Sequence, residues 1–137
     1  MIVMKVSLHR HLGIWLAIVL ALIAALHAYW GLGGKRGLAE ALGGADKPVP
    51  PAWAIRLVTG LLVAAVLVVL GRVGIWAPPV PGWFFAMGCW GVALALLLAA
   101  LINFSAHTNW ERYGFAPFAL ALAITTALVA WAPQRAA

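Results

Sequence analysis

The chain has 137 residues, 66% of them hydrophobic and only 9% charged, with a formal net charge of +6 and a mean hydropathy of +1.03. So few charges cannot cover the surface of a soluble domain of this length. Lys and Arg stand one or two at a time beside apolar segments, never as a basic run or helical stripe, which fits membrane flanks and excludes a nucleic-acid partner.

The apolar residues gather into runs of about 18 residues, each long enough to cross ~30 Å of hydrocarbon as a helix. We read four spans, roughly 12–30, 53–70, 83–102 and 115–131. The predicted fold is an all-α integral membrane four-helix bundle, with residues 1–137 as a single membrane domain.

The first span follows Lys5 and Arg10 as a signal peptide would. Its apolar stretch is longer than an h-region, and Leu26-His27-Ala28 is a poor cleavage site, so it reads as a retained helix. It finishes in LHAYWGLGG, residues 26–34. We read this as a helix end at the membrane–water interface, anchored by Tyr29 and Trp30 and stopped by the glycines. GLGGKRG at 31–37 only superficially resembles a phosphate loop, because no Ser or Thr follows Lys35 and no strand precedes it. GLAEALGG, further along the first loop, suggests a short interfacial turn of helix.

Proline-rich entries, PVPPAW at 48–53 and PPVPGW at 78–83, precede the second and third spans and suit an extended approach to a helix. The third span contains Cys89, the only cysteine, which rules out an intrachain disulfide and CxxC chemistry and reads as a small buried hydrophobe. Thr108-Asn109-Trp110-Glu111 fits the capping box of a helix start. Pro117 then poses an alternative. Either the fourth helix starts near Thr108 and bends near Gly114, or it starts close to Pro117.

An even number of spans puts both termini on one side. Trp15, Trp76, Trp83 and Trp131 then mark one interfacial belt, and Trp30, Trp53, Trp110 and Tyr113 the other. Lys5, Arg10, Arg72 and Arg135 face Lys35, Arg36, Lys47, Arg56 and Arg112 across the bilayer, a balance too even to set orientation.

Small residues mark close helix contacts in lipid. Such stripes predict inward faces of Ala116, Ala119, Ala123, Ala127 and Ala130 on the fourth span and Gly88, Gly91, Ala95 and Ala99 on the third, each about 80° wide. Gly60 and Ala64, one turn beyond Arg56, do so on the second. On the first, Gly13, Ala17, Ala21, Ala24 and Ala28 form a broader face, with His27 roughly 40° outside it. Leu122 is expected to meet lipid.

This topology brings His27, Tyr29, Arg56, Asn103, Ser105, His107, Glu111 and Arg112 to one membrane surface. Ionisable groups at such a depth raise a functional hypothesis. The ligand-binding candidates are His27, Trp30, Arg56, Asn103, Ser105, Glu111 and Arg112, with His27 expected within direct or one-water reach of Asn103 or Glu111. Each also has a plainer role: His27 on a frayed carbonyl, Glu111 in the capping box, the arginines snorkelling to headgroups, Asn103 closing its own helix or bonding across helices. His9 and His11 lie on different helical faces with no carboxylate near in sequence, and the only acids are Glu40, Asp46 and Glu111. Neither a metal site nor a cofactor is indicated.

His27-x-x-Trp30-x-Leu32-Gly33-Gly34, with Asn103-x-Ser105 and Glu111-Arg112 before a proline-led fourth span, resembles the small bacterial four-span proteins of domain-of-unknown-function family 3995. The resemblance covers almost the whole chain, although Ala116-Pro117 stands where that family suggests Gly-Pro. It implies a multi-pass protein of the bacterial cell membrane with a polar site at one face, and it brings no established activity.

Three functions follow. The main one is a membrane protein whose bundle mouth binds a small molecule, lipid headgroup or partner protein without chemistry of its own. The second is a membrane-embedded enzyme with His27 and Glu111 as an acid–base pair and Arg56 or Arg112 holding an anion. The third is a proton-coupled transporter protomer, weakened by the lack of an ionisable group at mid-bilayer. The partners implied are the lipid bilayer, a small-molecule or lipid ligand, and another membrane protein or a second copy of the chain.

Overall fold

The computed structural model describes residues 2–76 and 78–132. Of the flanking charges counted above, Arg135 and the side chain of Lys5 lie outside the described part.

The helices are α1 (Ile2–Gly31), the short α2 (Leu38–Ala41), α3 (Ala52–Arg72), α4 (Gly82–Phe104) and α5 (Ala116–Trp131), with a π-helical turn at Glu111–Phe115 leading into α5. Four stretches are long and apolar enough to cross a membrane: Leu8–Gly31, Ala52–Arg72, Gly82–Phe104 and Glu111–Trp131. Only 22% to 33% of each is buried inside the protein, so most of its apolar surface faces outward, as lipid requires. The four-span bundle expected from the sequence is therefore present, with no strand among the described residues. The short helical turn in the first loop is α2.

Two helical hairpins make up the bundle. α1 packs extensively on α3, and α4 on α5. The hairpins join through the α3–α4 and α1–α5 contacts, which leaves α1 and α4 on a diagonal with scarcely any contact. The shared core gathers Leu16, Ala17 and Leu20 of α1, Ala65 and Val69 of α3, Cys89 of α4, and Leu122, Val129 and Ala130 of α5.

The packed faces differ from the small-residue stripes on α3 and α4, and on α1 at Ala21, which is exposed. On α3, Gly60 and Ala64 are exposed, and a methyl built on Gly60 would meet nothing within 4 Å. The inward row is Ile55, Ala65, Val69 and Arg72. On α4, Gly91 and Ala95 are exposed, while Phe85, Cys89, Ala93 and Ala100 are buried. Close approach depends on what the opposite helix presents, and at Gly88 it presents Val68, 2.7 Å from a built Cβ. On α5, Ala116, Ala123 and Ala130 are buried as expected. Leu122, expected at lipid, is buried too, together with Thr126 and Val129. α5 touches α4 on one flank and α1 on the other, so its buried arc widens to roughly 140°.

Both proline-rich entries do what their chemistry suggests. Pro51 and Pro81 stand immediately before α3 and α4 in extended conformation, at ψ 147° and 142°. The Pro117 alternative resolves toward the earlier start. The helix begins after Thr108, and the amide of Ala116 donates to the Glu111 carbonyl five residues back. One extra residue is thus accommodated just ahead of a proline that has no amide to donate.

Candidate functional site

The loop surface is built mainly from helix ends. At the end of α1, the Gly33 amide donates to the Trp30 carbonyl (3.0 Å) and the Gly34 amide to the Tyr29 carbonyl (2.9 Å). This is a Schellman closure, and it needs a left-handed residue, supplied by Gly33 at φ 99°. The ring of Tyr29 lies so close to Gly34 that a Cβ there would stand 2.3 Å from it. That is the structural meaning of LHAYWGLGG. Trp30 departs from the lipid-facing belt expected of it. It is 7% exposed, its indole N–H donates to the Arg36 carbonyl at 2.8 Å, and His27 meets its ring edge-on at 5.1 Å. The indole turns inward because the loop offers its N–H an acceptor that lipid lacks.

The remaining candidates divide by partner. The half-buried His27 donates from Nδ1 to the Ile23 carbonyl of its own helix, at 2.9 Å. The Asn103 amide donates to the Ala99 carbonyl (2.8 Å) and the Ser105 hydroxyl to the Leu101 carbonyl (3.1 Å). Arg56 reaches across helices, its Nε donating to the Gly31 carbonyl at 3.0 Å. A cation there also complements the negative end of the α1 dipole. His107 and Arg112 are exposed. A direct hydrogen bond from His27 to Asn103 or Glu111 is not formed. For Asn103 the reason is topological, since α1 and α4 face one another across the diagonal.

Glu111 is the exception, because it ties two distant segments together. It is 9% exposed. Its backbone N–H donates to Thr108 Oγ1 at 3.3 Å, and the Thr108 hydroxyl donates to Glu111 Oε2 at 2.6 Å. The capping reading is thus realised in its first half, with the carboxylate bonded to the hydroxyl instead of to the Thr108 amide. Its other oxygen, Oε1, faces Lys47 Nζ at 3.8 Å. The first loop rests against this carboxylate at Gly43, where a Cβ would come within 2.4 Å of Oε2. Beside the node, Asn109, Trp110, Tyr113 and Gly114 line a shallow open groove of about 370 Å³, with Trp110 60% and Tyr113 71% exposed. Sequence reasoning counted Trp110 and Tyr113 only as belt aromatics and missed the groove, which the π-turn creates.

Sequence reasoning also missed Arg72, on the opposite surface. It is 8% exposed and donates from Nε to the Val129 carbonyl (3.3 Å), and from Nη2 to the carbonyls of Ala130 (2.7 Å) and Ala132. Among the described residues no group of His, Cys, Asp and Glu is placed to hold a metal ion.

Four apolar spans, closed at their ends by glycine turns and arginine contacts and carrying one buried carboxylate at a mouth, define a small polytopic membrane protein. The family described as protein of unknown function (DUF3995) matches residues 20–126, a stretch that includes all seven candidate residues. The chain belongs to that family. No curated protein and no solved structure matches it.

Proposed function

We propose that this protein is a binding protein of the bacterial cell membrane without chemistry of its own, whose site is the groove along the π-turn. The observation that carries this reading is how the polar groups are engaged. His27, Asn103, Ser105 and Arg56 each donate to a helix carbonyl, and Glu111 is held by Thr108 and Lys47. Groups so engaged cap helices and position a loop, whereas an acid–base pair needs its two members within reach of one reacting atom. The π-turn groove instead offers two exposed aromatic rings, the Asn109 amide and, on the same turn, the exposed Arg112 guanidinium. That combination suits a small amphipathic molecule with an anionic head, its apolar part on the rings and its head at the guanidinium. Mass spectrometry of solvent extracts from the purified protein tests the reading. A small molecule retained by the native chain is expected to be lost from Tyr113→Ala and Arg112→Gln. Identical extracts from all three would overturn it.

A further inference from the structure

Arg72 carries a nearly buried positive charge, and its hydrogen-bonding partners, the carbonyls of Val129, Ala130 and Ala132, are all neutral. The end of the α5 dipole offsets at most about half a charge. The three acidic residues of the chain, Glu40, Asp46 and Glu111, all belong to the other surface. The exposed Arg10 shares the surface of Arg72. Among the described residues, this end of the bundle therefore carries positive charge that no acidic side chain balances.

A second observation comes from the same end of α5. Between α4 and α5 runs an apolar groove of about 260 Å³, with Trp90 and Leu97 among its α4 lining and Leu120, Ala123 and Ala127 on the α5 side. One turn beyond Ala127, the indole of Trp131 meets that of Trp90 edge-on at 6.4 Å and stands 79% exposed at the groove's mouth. The carbonyls that hold Arg72 lie two, three and five residues past Ala127, roughly 3–8 Å further along the helix axis. Along the α5 axis the groove thus lies deeper than the indole and the cation, as an acyl chain lies deeper than a glycerol region and a phosphate.

We propose that an anionic phospholipid occupies this site, one tail in the α4–α5 groove and its phosphate in the field of Arg72 and Arg10. The site is on the opposite surface from the π-turn groove and stands or falls separately. The test titrates the full chain in detergent with dioleoyl phosphatidylglycerol, dioleoyl phosphatidylcholine and inorganic phosphate, and counts retained lipid by native mass spectrometry. Phosphatidylglycerol is expected to be retained about fivefold or more over phosphatidylcholine, the effect of one cation near the headgroup. Arg72→Gln and Arg10→Gln should each reduce that preference severalfold. Ala127→Leu, which fills the groove, should lower retention of both lipids. Lys35→Gln, the same charge change on the other surface, should alter neither. If Arg72→Gln fails to fold, Arg10→Gln and Ala127→Leu decide the matter. Equal retention of the two lipids, an equal loss in Lys35→Gln, or displacement of phosphatidylglycerol by inorganic phosphate alone would overturn the proposal.

Discussion

At the scale of single residues, α3 carries an arginine at each end, and each serves a neighbouring helix. Arg56 bonds the end of α1, and Arg72 the end of α5. Carbonyls at a helix end have no partner within the helix, and a guanidinium from the adjacent helix supplies one where the interface is poor in water. Glycines divide in the same manner, by what faces them. Gly43 has φ 82° and the Glu111 carboxylate against it, whereas Gly60 is helical and open to the outside. Gly43→Ala is expected to lower thermal stability in detergent by about 1–2 kcal/mol from its left-handed conformation alone, with more from the displaced carboxylate. Gly60→Ala should be neutral or stabilise by up to ~1 kcal/mol, because alanine loses less backbone freedom in a helix. Unfolding temperatures in the reverse order would contradict the packing of the first loop on Glu111.

At the scale of elements, α5 is the helix with most to lose. Its Leu122, Val129 and Ala130 enter the core, and Thr126 and Ala123 are buried with them. Thr126 is fully buried and returns its hydroxyl to the Leu122 carbonyl, so no polar atom is stranded there. Leu122→Ala should therefore leave a cavity and destabilise by about 2–5 kcal/mol. Ile124 is 54% exposed, and Ile124→Ala exchanges side-chain contact for lipid contact at little cost. A thermal-shift series in one detergent separates the two. A matched loss at both positions would place Leu122 at the lipid surface after all.

For the whole molecule, the hairpin pairing sets which ends share a surface. The loop between α1 and α3 and the loop between α4 and the π-turn lie together, and Lys47 with Glu111 is the ion pair that joins them. The link between α3 and α4 lies at the other end. Reporter domains fused after Gly43 and after Gly74 should accordingly give signals from opposite sides of the membrane. Signals from one side would dissolve both proposed sites, since each depends on which helix ends are neighbours.

The number of spans and their class were legible in the sequence, because hydropathy and span length depend on local composition alone. So were the glycine stop after Trp30, the helix in GLAEALGG and the capping role of Thr108, each set by near neighbours. The facing of α3 and α4 was not. Gly60 and Gly91 look like contact points in the sequence and face outward in the bundle, because a small residue permits close approach without requiring it. Nor could the sequence say that Arg72 ends on the carbonyls of a helix nearly 60 positions away, or that Gly43 seats the first loop on Glu111. Those outcomes depend on which helices are adjacent and which lie on the diagonal, and only the packed bundle decides that.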